Sequence, residues 1–220
     1  MAQDYKTYAL GDFTLQSGTT LPSAHLAYTT LGSPSNPAII YPTWYSGTIS
    51  TNLWLTGPTL TLNPDKYHII IPALFGNGES TSPSNWIHKN DASKRFPQVS
   101  FYDNVRAQHL LVTQHLGVAK ARAVVGWSMG AGQTFQWATQ FPGFVELAVP
   151  FCGSARTALH NRVFLEGVKA ALLGAKRSSS GGVCEAGHVV DGDEGEEEEK
   201  KGEYSAVWTE AERRVGLKAL

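Results

Sequence analysis

The sequence predicts an α/β fold, a mostly parallel sheet with flanking helices, and three observations carry that expectation. Short apolar runs alternate with longer segments of helical period from residue 5 to about 173, the pattern of strands joined by crossover helices. Two of the runs, 38–41 and 67–71, are short, rich in β-formers and almost unbroken in apolar character, as strands buried on both faces must be. The chain has 220 residues, 42 % of them hydrophobic, which suits one globular domain with a single core.

Each element can be justified in turn. Residues 8–15 and 25–31 read as strands forming an opening antiparallel hairpin, with Leu26, Tyr28 and Thr30 alternating against Ala27 and Thr29. The buried strands 38–41 and 67–71 are each followed by a loop of Gly, Ser and Thr. Between them, 53–62 could supply a helix, although Gly57 and Pro58 interrupt it. Residues 100–116 make a stronger helix: Ser100 or Asp103 can cap it, Val105, Val112 and Leu116 share a stripe, and Gly117 suits the C′ position. A strand over 121–125, a helix over 129–140 that stops before Pro142, a strand over 145–151 and a helix over 158–173 complete the pattern.

At about Gly174 the composition turns to Ser, Gly and Glu and loses both periods. Residues 174–205 cannot bury enough apolar surface to offset their ordering entropy and are expected to be disordered. Residues 206–220 could form a short helix with Trp208 and Val215 on one face. The domain is therefore expected over 1–173, and the abrupt shift suggests that the residues after about 173 come from an alternative exon, a retained intron or a frame change.

A formal net charge of -1 leaves no cationic excess for nucleic acid or an anionic membrane, so a small-molecule substrate is the expected partner. Cys152 and Cys184 are too few for a disulfide framework. The start MAQDYKTYAL lacks the regions of a secretory signal, and no apolar run approaches the ~20 residues of a membrane span. A cytoplasmic protein is expected.

The stretch Gly126-Trp127-Ser128-Met129-Gly130 falls between the strand 121–125 and the helix 129–140. G-x-S-x-G at a strand-to-helix junction describes a sharp turn that lifts a serine hydroxyl above the sheet edge, making Ser128 the candidate nucleophile. A Cβ at Gly126 or Gly130 would crowd such a turn. The following helix aims free N–H groups, led by Met129, at a developing oxyanion. The bare pattern would arise by chance in roughly one such chain in six, so the flanking strand and helix carry the argument. A second oxyanion donor is expected after the preceding buried strand, in the loop 41–47, with the backbone N–H of Trp44 first and Tyr45 next. Gly76-Asn77-Gly78-Glu79-Ser80 lacks the lysine of a phosphate loop and reads as a strand-to-helix turn.

The chain resembles the homoserine O-acetyltransferase branch of the α/β-hydrolase superfamily. The matching pieces are residues 126–133 with Trp137, Phe96-Pro97, residues 103–108, Leu116-Gly117-Val118, the turn 76–80 and Ser154-Ala155-Arg156, within a likeness running from Tyr5 to Leu173. The resemblance implies an α/β-hydrolase fold, incomplete at about six of eight strands, and an acyltransferase whose serine takes an acyl group from a thioester such as acetyl-CoA to an alcohol. No resident cofactor is implied; an acyl-CoA is a co-substrate. The stretch 42–47 departs from the family's usual form, so homoserine is not implied as acceptor.

The family places its acid and histidine after the seventh and eighth strands. After Ser128 stand His160, in a predicted helix, and His188, Asp191 and Asp193, in the low-complexity stretch, so no catalytic Asp or His is recognisable. His25, His68, His88, His109 and His115 precede the serine without ligand spacing, and no metal site is expected. Three functions compete: the acyltransferase, a serine ester hydrolase, and a truncated, catalytically impaired form acting by binding. An unpaired apolar edge after the sixth strand would favour self-association.

Overall fold

The computed structural model describes residues 5–86 and 96–173. The chain divides into two units, one reaching Arg156 and one beginning at Thr157. The described part of the second contains a single helix, α3 (Leu159–Leu173), with an exposed Glu166–Lys169 ion pair. Residues 174–220 lie outside the described residues, and so do the expectations that fall on them.

The first unit holds the whole sheet. Strands β1 (Lys6–Thr14) and β2 (Thr20–Leu31) pair antiparallel, with register shifts around Gly11 at φ 67°. The remaining strands, β3 (Ala38–Ile40), β4 (His68–Pro72), β5 (Ala121–Trp127) and β6 (Ala148–Phe151), run parallel to one another, in the order β1-β2-β4-β3-β5-β6. β2 joins β4 antiparallel, which buries Leu26, Ala27 and Tyr28 alike. The alternation expected of β2 is thus overridden by its interior position, with both faces covered.

Helices α1 (Phe101–Leu110) and α2 (Met129–Gln140) cover one face, where Val105, Val112 and Trp137 meet Ile40, Ile70 and Val124. The opposite face packs Ile39, Ile69 and Ile71 against Ile49 and Leu62. Ser100 caps α1: its hydroxyl accepts from the Asp103 N–H, and the Asp103 carboxylate accepts from the Ser100 N–H in return. Of the two candidate caps, Ser100 is therefore the N-cap and Asp103 its reciprocal partner. The same carboxylate accepts from the Gln16 N–H at 2.6 Å, tying the helix to the end of the hairpin. The helical run continues past Leu110 as a π-type turn, Leu111–His115, and Gly117 follows at φ 68°.

Three elements differ from expectation. The segment 53–62 forms only a 3-10 turn, Ser50–Leu55, because Gly57 and Pro58 follow directly and cannot propagate it. β5 continues through Gly126 to Trp127. β6 begins at Ala148, with Val145 reduced to an isolated bridge to Ala121. No helix among the described residues is long and apolar enough to cross a membrane.

Replacing Ser100 by Ala should lower stability by about 1 kcal/mol in urea unfolding. Asp103→Ala should cost more, since the Gln16 N–H also loses its acceptor. Burial lowers the pKa of His68 and of His109 from the ordinary 6.5. The unfolded chain then takes up protons first on acidification. Stability is thus complete above about 6.5 and is lost as pH falls through that value toward the folded-state values. His68→Asn together with His109→Asn should flatten that slope; an unchanged slope would contradict the assignment.

Candidate active site

The strand order sets the place. From β3 the chain crosses to β4 on one side and returns to β5 on the other, so the loops leaving β3 and β5 diverge around a crevice. In open α/β sheets such a switch point, at the carboxyl ends of the strands, is where ligands bind. The two diverging segments are the loop after Ile40 and the turn at Ser128.

That turn is severely compressed. A Cβ built on Gly126 would lie 2.0 Å from the Gly130 carbonyl oxygen and 2.3 Å from the Thr134 hydroxyl, so glycine is required there. Gly130 is less constrained than expected: its Cβ would meet the Pro42 oxygen at 3.1 Å, a tight contact that a small shift relieves. Ser128 absorbs the compression with φ 53° and ψ -116°, a region costly for any residue with a side chain. Although it stands at the N-cap of α2, its hydroxyl makes no capping bond. The N–H of Met129, the first helical residue, has no acceptor among the described residues, while that of Ala131 donates to the Ser128 carbonyl at 3.0 Å. From β6, Phe151 accepts from the Ser128 N–H at 3.1 Å. Gly153 approaches so closely that its Cβ would stand 2.5 Å from the Ser128 carbonyl oxygen.

The loop after β3 packs on this turn through Pro42 and Thr43, the residues nearest Gly130. Its first residues are tied by hydrogen bonds. The Thr43 N–H donates to the Pro72 carbonyl and the Thr43 hydroxyl accepts from the Leu74 N–H, while Asn52 donates to the carbonyls of Tyr41 and Pro42. The Trp44 carbonyl accepts from Gly47. Among the described residues the N–H groups of Trp44, Tyr45 and Ser46 have no acceptor, so both candidate second donors, Trp44 and Tyr45, are unspent. The Trp44 ring stands edge-on to Trp127 at 4.6 Å, and Trp127 to Trp54 at 5.7 Å, so an aromatic wall flanks Ser128. Tyr45, the next candidate donor, projects an exposed side chain.

The turn 76–80 does not enter a helix directly but continues through further turns to Trp86. It braces the β3 loop: the Glu79 carboxylate accepts from the Ile49 N–H at 2.9 Å and from the Asn77 amide at 3.0 Å. Tyr41, fully buried beneath the site, has its phenol pushed up to about 12 by burial and is packing, not a base.

The described histidines have other partners. His25 contacts Thr81, His115 bonds the Tyr28 hydroxyl at 2.8 Å, His109 stacks on Phe141 at 3.8 Å, and His68 is buried in β4. His160 lies on α3, in the second unit. His88, His188, Asp191 and Asp193 lie outside the described residues. No group of three potential metal ligands occurs among the described residues. Sequence reasoning missed Asn52, Glu79 and Gly153. Asn52 and Glu79 act through loop contacts that no spacing encodes, and Gly153 follows a strand whose end was legible but whose proximity to Ser128 was not.

Fold and turn together define a class. A family model described as the alpha/beta hydrolase fold matches residues 42–161, and the chain belongs to that family. It is 38 % identical over 161 residues to an ethyl acetate hydrolase of Pseudomonas veronii, covering 71 % of this chain and 46 % of the relative. It is 31 % identical over 180 residues to a homoserine O-acetyltransferase of Methanobrevibacter ruminantium, covering 73 % and 36 %. Among solved structures, an acetylester hydrolase from Corynebacterium glutamicum superposes with a TM-score of 0.76 at 33 % identity, covering 97 % of this chain and 56 % of that one. The chain spans about half the length of the curated relatives it matches. The resemblance read from the motifs holds, and both ester hydrolases and homoserine O-acetyltransferases are relatives.

The strain at Ser128 has a measurable consequence. Ser128→Gly should be more stable than Ser128→Ala by about 1–2 kcal/mol in denaturant unfolding, because only glycine relieves the backbone. Equal stabilities would contradict the strain.

Proposed function

We propose that Ser128 is the nucleophile of an acyl-ester site that acts on short acyl groups such as acetyl, with water as acceptor. The Trp44 and Met129 backbone N–H groups bind the oxyanion. The observation that supports this reading most is the pair of amides, Trp44 and Met129, that have no acceptor among the described residues and flank a strained serine. In the first half-reaction the Ser128 oxygen bonds to the ester carbonyl carbon, its proton passes to a base, and the alcohol departs with a proton. Water then releases the acid. The aromatic wall of Trp44, Trp54 and Trp127 suits a small apolar ester. Water as acceptor draws on the likeness to the ethyl acetate and acetylester hydrolases.

The base and its acid partner are assigned to no residue of this chain. Loss of the histidine in a serine hydrolase typically removes on the order of 10⁶ in turnover, leaving binding and the oxyanion hole. We therefore expect slow acylation by this chain itself. A second reading keeps the same serine but passes the acyl group from a thioester such as acetyl-CoA to an alcohol. The homoserine O-acetyltransferase relative favours it. A cytoplasmic setting belongs to the proposal, supported by two dispersed cysteines.

A third reading is weak self-association through β6, the terminal strand. Leu147 and Phe151 direct their carbonyls to β5, so Ala148 and Pro150 direct their backbone outward. Pro150 has no N–H to offer, which limits pairing along that edge. Light scattering that detects only monomer would remove this reading.

A fluorophosphonate probe should label Ser128, and Ser128→Ala should take no label. 4-Nitrophenyl acetate should acylate Ser128 slowly, releasing nitrophenol at a rate that Ser128→Ala lowers to background. A folded sample that takes no label, or equal labelling of Ser128→Ala, would overturn the assignment. Adding alcohols with acetyl-CoA as donor separates the transferase from the hydrolase by product.

A further inference from the structure

Two glutamines are wholly buried between the helices that cover the sheet, Gln108 on α1 and Gln133 on α2. They form one chain of hydrogen bonds. The Trp137 indole N–H donates to the Gln108 amide oxygen at 3.0 Å, and the Gln108 amide nitrogen donates to the Gln133 oxygen at 2.6 Å. The Gln133 nitrogen then donates to the Thr43 carbonyl at 2.8 Å. Only one direction is possible, because an indole can only donate and a carbonyl can only accept, so both ends fix the orientation of both amides.

The last bond reaches the peptide that joins Thr43 to Trp44. In a trans peptide the C=O and the N–H are held in one plane and point in opposite directions. Holding the Thr43 oxygen toward α2 therefore holds the Trp44 N–H the other way, as an unspent donor beside the elbow. Successive bonds in a buried chain polarise one another, which makes that N–H a better donor to a negative oxygen.

Resting on the acyl-ester reading above, we propose that Trp137, Gln108 and Gln133 are positioning residues that orient and polarise the Thr43–Trp44 peptide for oxyanion binding. None of the three touches the reacting atoms. Burying two amides between helices is costly unless both are hydrogen-bonded; here each amide oxygen accepts and each amide nitrogen donates, and the chain of bonds ends on the peptide that carries the Trp44 N–H.

The test uses the full chain and Gln133→Met, which keeps the volume and removes the donor. The fluorophosphonate labelling rate constant should fall about tenfold or more at unchanged probe affinity, less than the ~10²–10³ of deleting an oxyanion donor. The Trp44 backbone amide should shift upfield in nitrogen-15 spectra, because its own peptide carbonyl has lost a donor. Trp137→Phe, which keeps an aromatic six-membered ring but removes the pyrrole part of the indole with its N–H, should change both in the same directions and by less; it decides the matter if Gln133→Met does not fold. An unmoved Trp44 amide overturns the relay, and a moved amide with an unchanged labelling rate overturns its positioning role. Where the wild-type chain takes no label, the acyl-ester reading has failed, and the Trp44 resonance still decides whether the relay holds the peptide.

Discussion

The site depends on one close approach, the backbone of Gly126 at the end of β5 against the Gly130 carbonyl in the first turn of α2. Strand and helix can come this near only where no Cβ intervenes, and the residue between them must take up the turn. Ser128 does so at positive φ. The same conformation prevents its hydroxyl from capping the helix, as a serine at an N-cap ordinarily does. The Ala131 N–H, which a capping side chain could take, donates to the Ser128 carbonyl instead, and the Met129 N–H has no acceptor among the described residues. Strain and an uncapping hydroxyl share a single steric origin.

Around this turn the loop after β3 is held by side-chain hydrogen bonds, while the Tyr41 hydroxyl, the Trp44 indole N–H and the Asn52 amide oxygen have no hydrogen-bond partner among the described residues. Asn52 and Gln133 bond the loop after β3 directly, Gln108 bonds Gln133 behind it, and Glu79 braces the Ile49 N–H from the loop after β4. Buried amides of this kind fix a backbone in a way apolar packing cannot, since each bond constrains direction as well as distance. On the proposed reading, such rigidity holds the donors in place before any ligand arrives, so that little reorganisation is needed as charge develops.

Much of this was legible in the sequence. Parallel strands showed in the continuous apolar character of 38–41 and 67–71, and the turn showed in Gly126 and Gly130 set between a strand and a helix. Ser100 was readable as a cap by composition, whereas its reciprocal bond with Asp103 needed coordinates. The 53–62 segment failed as a helix because local propensity was overridden by Gly57 and Pro58, both visible in advance. Gln108 offered a neglected signal: it lies three residues after Val105 and four before Val112, on the buried stripe of α1. A polar side chain on such a stripe must find a partner. Which partner, and that the chain of bonds would end at Thr43, depended on packing between segments far apart in sequence.

A strained serine and two unspent amides form one device, and its most direct test is a crystal structure of the Ser128 phosphonate adduct. One phosphoryl oxygen should lie within ~2.7–3.1 Å of both the Trp44 and the Met129 N–H, with the Gln133–Thr43 bond intact. An adduct whose oxygens turn to solvent, or to donors other than these two, would contradict the coupling of serine and amides.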